Sequence, residues 1–396
     1  MKKIAIVEMA AMFLLAGCGG ADEGASDGLP RGVTANSIKI GSHTDLSGNL
    51  AIWGVPATNG QRMRFDEANA AGGIHGRKID FIVEDSQYTV PNAVKATNKL
   101  LNVDDIFLMV GAMGTPMNIA VMPRMFEAGV PNLFPISAGV QMYEPLHPMK
   151  FSYFVSYRDQ ARAGMAYMVE KHKVKSVCLQ AQANDYGAEV EVGFHQAVEE
   201  LGLDIAYVGR HKRVETDFTG TVTAIKNSGC ELLVLGPFVT DTILLYSAAR
   251  DAGWDAPIIG NMVSYVPEVA QASNSRTEGL FAVASFYMPH FESLPADSWA
   301  AKWHARYVDL FDEESAAQSI IGYVIADLTV RALEAAGPDL TTEKVLAALE
   351  TIENYEDPFG GPTLTFSPTK HQGGDYLYLY EVVNSQWEVV EEKLPF

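Results

Sequence analysis

Short apolar runs alternate with longer stretches of helical spacing, and this alternation repeats in two rounds along the chain. In the first round, Ile38 to Gly41, Lys78 to Val83 and Phe107 to Val110 read as strands. Between them, Asn59 to Ala70 and Pro91 to Leu101 read as helices, the second opened by a proline at a position that suits its fixed φ. A further helix starts near Pro116 and closes at Gly129. The second round places strands at Ser176 to Gln180, Asp204 to Val208 and Leu232 to Leu235, with helices at 160–171 and 187–201. Strands separated by helices cannot pair as hairpins, so the rhythm predicts parallel sheets covered by helices. The fold class is α/β. A long helical stretch from Ser315 to Ala336 ends at Gly337-Pro338, a strong terminator. Tyr376 to Tyr380 and Gln386 to Val390 predict a terminal hairpin turning near Asn384-Ser385. At 396 residues, the chain exceeds what one core usually holds and predicts two domains.

The N-terminus carries an address. Met1-Lys2-Lys3 precedes an apolar stretch too short to span a bilayer, and Leu15-Ala16-Gly17-Cys18 then forms a lipobox. Residues 1–17 read as a lipoprotein signal peptide, with Cys18 as the lipidation site. Residues 18–35, rich in Gly, Ala, Ser and Asp, read as a flexible tether. The expected location is the periplasm or the cell surface, lipid-anchored to a membrane. A net charge of −20 disfavours nucleic acid as a partner, which needs clustered Lys and Arg. Besides Cys18, only Cys178 and Cys230 occur, each in or beside an apolar run, where packing residues are expected rather than a disulfide or metal site.

Catalytic motifs are absent. The chain has no Gly-x-Ser-x-Gly elbow, no His-Glu-x-x-His, no paired-cysteine metal spacing and no phosphate loop. No catalytic residue, metal or cofactor is therefore expected. His75 falls in a glycine-rich turn, and His43, at a strand end, is a candidate ligand contact.

The order of several short motifs carries a family resemblance. Ile38-Lys39-Ile40-Gly41 is followed by Leu46-Ser47-Gly48, Trp53-Gly54 and Asn59-Gly60. Then come Ala70-Ala71-Gly72-Gly73-Ile74-His75-Gly76-Arg77-Lys78-Ile79 and Glu84-Asp85-Ser86, and later Asp185-Tyr186-Gly187, Asp217-Phe218-Thr219, Tyr323 and Phe359-Gly360-Gly361-Pro362. In this order the chain resembles the solute-binding proteins of bacterial ABC importers, in the branched-chain amino acid (Leu/Ile/Val-binding) group.

The resemblance implies a type I periplasmic-binding-protein fold, with two lobes joined by hinge strands and closing over a small-molecule ligand. Crossovers are expected near Val155, Met288 and Gly361. Lobe 1 would then hold 36–155 plus 288–361, and lobe 2 would hold 156–287 plus 362–396. The implied partners are the permease and ATPase subunits of an importer, with the membrane reached through the N-terminal lipid. A sensor component of a signalling system is the alternative, and so is a true branched-chain amino acid binder.

Strand-to-helix turns in open α/β sheets offer free N–H groups to an anion. Met113-Gly114-Thr115 and Ser137-Ala138 lie in two such turns and form an expected carboxylate cradle. By resemblance, Trp53 covers the ligand side chain, Thr115 matches a carboxylate-binding serine, and Tyr186 closes from the second lobe. Ala138 stands where the family has a threonine, and Phe238 where it has a tyrosine. Met262 stands where the family places the glutamate that pairs with the ligand ammonium. Unless Asp159 or Asp241 replaces that charge, the expected ligand is a small apolar or aromatic carboxylate or amide. Met113, Met117, Tyr157, Phe238, Met262 and Tyr265 would line a soft, aromatic pocket, and Arg158 could pair with a ligand carboxylate.

Overall fold

The computed structural model describes residues 29–213 and 215–396. The signal peptide, Cys18 and most of the tether lie outside the described residues.

The first sheet is built from β1 (Ser37–Thr44), α1 (Ala51–Ala70), β2 (Lys78–Asp85), α2 (Val90–Asn102), β3 (Leu108–Val110), α3 (Thr115–Glu127), β4 (Asn132–Leu133) and β5 (Lys150–Phe151). Its order is β2-β1-β3-β4-β5 and every pairing is parallel. Then follow α4 (Tyr157–His172), β6 (Ser176–Gln182), α5 (Asp185–Leu201), β7 (Asp204–His211), α6 (Thr219–Asn227), β8 (Leu232–Gly236), α7 (Val239–Asp251), β9 (Ile258–Gly260), α8 (Pro267–Ala270) and β10 (Phe281–Ala284). The chain returns to the first lobe for α9 (Trp299–Phe311), α10 (Ala317–Ala335) and α11 (Thr342–Leu349). It ends in the second with β11 (Leu377–Val383) and β12 (Gln386–Leu394). The second sheet runs β12-β11-β10-β9-β8-β6-β7, parallel except for this hairpin, in which Asn384 and Ser385 take the positive φ a two-residue turn needs.

The helix predicted from Asn59 begins at Ala51. The Asp45 carboxylate collects the Gly48 and Leu50 N–H groups just ahead of it, and Pro56 is accommodated inside the first turns. Helices α1 and α10 form the most extensive contact in the first lobe because both carry glycines at the crossing. A Cβ on Gly60 would lie 2.0 Å from the Ser319 carbonyl oxygen, and one on Gly322 2.0 Å from that of Ala57.

Three crossovers connect the lobes. The first runs through Ser152 to Ser156 and the second through Ser285 to Tyr287. The third falls at about residues 374 to 376, later than the expected Gly361. Phe366 packs on Phe134 and Phe151, His371 stacks on Phe151, and Gln372 bridges to Ser152, so residues 362–374 stay with the first lobe.

Asp357 sits against these crossovers, faced by Tyr153, Tyr355, Tyr378 and the ion-paired Asp327. Its Oδ1 accepts the Phe359 N–H, while Oδ2 has no partner among the described residues. Burial pushes its pKa up to about 7, helped by the charge of Asp327 and opposed by the Phe359 N–H. The unfolded carboxyl titrates near 4, so the folded state holds the extra proton between about pH 4 and 7. Stability therefore falls as pH rises through that window. Asp357→Asn is expected to gain ~3 kcal/mol at pH 8 and almost nothing at pH 4, read from urea unfolding at both pH values. His43 acts with the opposite sign: its buried ring titrates at about 4, so its contribution is lost as pH falls from about 6.5. Parent and variant share that term, so their difference isolates Asp357.

Cys178 and Cys230 are joined in a disulfide, with Cα atoms 5.9 Å apart, against the expectation of separate packing residues. β6 and β8 are neighbours in the sheet, with Val177 opposite Leu232, which places the two cysteines side by side. The bridge closes a span of 52 residues. Reduction is expected to cost ~2–4 kcal/mol, seen as a lower urea midpoint with reductant.

Candidate functional site

Between the lobes lies a narrow slot. The first lobe supplies Leu50, Trp53, Tyr88, Met113, Gly114 and Ile136; the second supplies Tyr157, Tyr186, Phe238, Met262 and Val263. Its cavity volume is ≈30 Å³, room for about one or two waters. The lobes are thus closed on one another, and a larger guest must part them or shift Met113 and Met262.

Each wall is set by a local device. Trp53 stands in the first turn of α1 and meets Phe286 of the second crossover edge-on, with ring centroids 6.4 Å apart. Met113 and Gly114 lead into α3, with Gly114 at φ 97°. A Cβ at Gly114 would come within 2.9 Å of the Tyr88 ring, so the glycine is what lets Tyr88 fold over the slot. Tyr186, at the start of α5, stacks on Phe238 at 5.5 Å and meets Tyr157 edge-on at 4.8 Å. Its hydroxyl is shared with the Pro237 carbonyl and Asn261. The Met262 N–H is fixed by Gln160 Oε1 at 3.0 Å.

A polar corner adjoins this aromatic wall. Thr115 Oγ1 and Ser137 Oγ lie 2.8 Å apart, and the Tyr157 hydroxyl faces both. Burial pushes the Tyr157 pKa up to about 12, so it remains a neutral donor. Trp53 Nε1 is buried without a hydrogen-bond partner among the described residues.

Seven of the expected site residues therefore meet in the slot: Trp53, Met113, Gly114, Tyr157, Tyr186, Phe238 and Met262. Thr115 and Ser137 stand in the polar corner just behind it, with Ala138 buried beside them. Arg158 does not reach the slot. Its guanidinium makes a bidentate pair with Glu189 at 2.7 and 2.8 Å, which removes it as a free anion partner. Asp159 is bound to Ser156 and Arg162, and Asp241 to Gln182 and His211, so neither replaces the missing glutamate. Met117 belongs to a core cluster behind α3, and Tyr265 stacks on Tyr380 at 3.9 Å, away from the slot walls. His43 is fully buried, with neither ring nitrogen bonded among the described residues.

Tyr88 is the main wall residue that sequence reading misses. It lies in a turn where Gln87 and Tyr88 both adopt positive φ, and no periodicity marks such a segment. Its ring meets Phe238 edge-on at 5.4 Å, and its carbonyl accepts from Arg213 of the other lobe.

The two α/β lobes meet around an aromatic slot. Residues 37–386 match the family described as periplasmic binding protein, and the chain belongs to that family. Its fold is the type I periplasmic-binding-protein fold of its structural neighbours. It is 22% identical over 333 residues to the leucine-, isoleucine-, valine-, threonine- and alanine-binding protein of Pseudomonas aeruginosa, covering 83% of this chain and 86% of that protein. Among solved structures, it is similar to a fatty acid ABC transporter substrate-binding protein from Thermomonospora curvata, with a TM-score of 0.81 and 24% identity over 93% of this chain and 95% of that one. A branched-chain amino acid ABC transporter protein from Thermus thermophilus with bound valine gives 0.81 and 20%, over 91% and 96%. These similarities establish the shared fold.

Proposed function

We propose that this chain is the extracytoplasmic capture protein of an ABC importer, tethered to the membrane through lipid on Cys18. It takes a small apolar or aromatic carboxylate or amide and hands it to the permease. The observation that carries the ligand class is the slot wall, which has no carboxylate among its lining residues and includes Met262, the position at which the family resemblance expects an ammonium partner. A buried ammonium without a counter-charge costs several kcal/mol on the order of half the ~8 kcal/mol of micromolar binding. A zwitterionic amino acid is therefore a poor guest, while Trp53, Tyr88, Tyr186 and Phe238 offer ring faces and edges to an aromatic one. The disulfide fits an oxidising compartment.

Calorimetric titration with leucine, valine, phenylalanine and a panel of aromatic acids and amides tests the reading. Aromatic guests should bind in the micromolar range and leucine far more weakly. Tight leucine binding with no response to the aromatic panel refutes it. Incorporation of labelled palmitate, lost in Cys18→Ala, tests the anchor.

A further inference from the structure

We infer that Tyr88 sets the size limit of the guest: its ring stops the outer end of the slot, so that a one-ring guest is held behind it and a guest longer by a second ring is refused. This rests on the slot reading above and names the residue that decides its selectivity.

The slot has a deep end and an outer end. Trp53 marks the deep end, edge-on to Phe286 of the second crossover. The lining rings of Trp53, Tyr157, Tyr186 and Phe238 belong to residues at most 7% exposed. Tyr88 is half-buried and follows the exposed Gln87, which puts it at the mouth. There it meets the second lobe twice. The Phe238 ring stands edge-on to it at 5.4 Å, and Arg213 donates to its carbonyl at 3.2 Å with the guanidinium 5.7 Å from the ring centroid. On its own lobe the ring rests against Gly114, where no side chain holds it off.

A guest has to make room in a cavity of ≈30 Å³, and the walls differ in what they can yield. Met113 and Met262 are unbranched and can change rotamer without moving the backbone. Tyr88 has no such freedom, because its ring is packed from both lobes and its backbone is tied on either side. The Ser86 N–H and hydroxyl both donate to the Thr44 carbonyl, at 2.7 and 2.9 Å. The Gln87 N–H donates to Asp85 Oδ1 at 2.9 Å, and the Thr89 N–H to the Ser86 carbonyl at 3.0 Å. Methionines that move therefore enlarge the slot from within, while its length toward the mouth is set by Tyr88. Selection by size needs such a repulsive element, since added attraction alone favours the larger guest.

The test measures calorimetric affinities of the full chain for phenylacetate and biphenyl-4-ylacetate, which share a polar end and differ by one ring, and for the two corresponding primary amides. The parent should bind the one-ring compound at least about tenfold tighter than the two-ring compound. Tyr88→Ala should bring that ratio to one or below, and Tyr88→Phe, which keeps the ring, should keep the parental ratio. Tyr88→Leu, which keeps the mouth apolar but shortens it, should fall between them. The ratio is the readout because a residue that only helped the lobes close would weaken both compounds by the same factor. A Tyr88→Ala or Tyr88→Leu protein with the parent's unfolding midpoint and the parent's ratio overturns this inference, as does a parent that binds both compounds equally; either result leaves the capture of aromatic guests standing. If no aromatic compound binds while leucine does, the slot reading falls and takes this inference with it.

Discussion

Gly322→Val is expected to unfold the first lobe at denaturant concentrations the parent survives, losing at least ~4 kcal/mol. The reason is geometric. Gly322 is buried inside α10, and a single added carbon would lie 2.0 Å from the Ala57 carbonyl oxygen and 2.8 Å from its carbon. These are backbone atoms of α1, so no rotamer change relieves the clash and the two helices must separate. Separation exposes buried residues of both helices, among them Ile321, Val324, Ile325 and Leu328 of α10 and Ala57 and Phe65 of α1, and it shifts Trp53, which α1 carries into the slot. A control is available in Gly220, in α6, where a Cβ meets nothing within 4 Å. Gly220→Ala should be neutral or gain ~0.5–1 kcal/mol. Urea unfolding followed by circular dichroism separates the two outcomes. A Gly322→Val protein with the parent's midpoint would mean the helices have room that the packing denies.

Gly60, which makes the reciprocal contact, was visible in the sequence within Asn59-Gly60, but its reason was not. A glycine in a helix signals close approach only once the partner helix is known, and α10 lies more than 250 residues further along the chain. The parallel sheets were legible because strand and helix spacing is local. Pairings such as Cys178 with Cys230 depend on strand order and were not. The slot divides the same way. Trp53, Met113 and Met262, which line the slot, can be picked out because they sit in ordered motifs or strand-end turns. Tyr88 was missed because a positive-φ turn leaves no pattern. Arg158 was misread because its partner, Glu189, lies on the next helix, and a lone basic residue near a cleft looks the same whether free or paired. The third crossover was placed too early because Phe366 and His371 bind the first lobe through ring contacts that no local signal announces.

That misread pair leads to the second large effect. The Glu189 carboxylate, whose side chain is 4% exposed, takes the Arg158 guanidinium with both oxygens. It also accepts the Val140 N–H at 3.2 Å and the Gln141 amide at 2.7 Å. Val140 and Gln141 belong to the first lobe, whereas Glu189 and Arg158 belong to the second, so one carboxylate ties the lobes together beside the slot. Glu189→Ala leaves a partly buried guanidinium and a buried backbone donor without partners, at a cost of ~2–3 kcal/mol. Part of that cost can be avoided by opening, which returns the freed groups to water. The ligand-free variant is therefore expected to show a lower unfolding midpoint and a larger radius of gyration in small-angle scattering. Because the guest is held with the lobes brought together around it, loss of a tie that favours closure should also weaken its binding, by about tenfold. Glu189→Gln keeps an oxygen for Val140 but loses the charge that holds Arg158, and should fall between the two. An alanine variant with parental scattering and affinity would show that the tie bears no part of the closure and that ring contacts between Tyr88 and Phe238 hold the lobes alone.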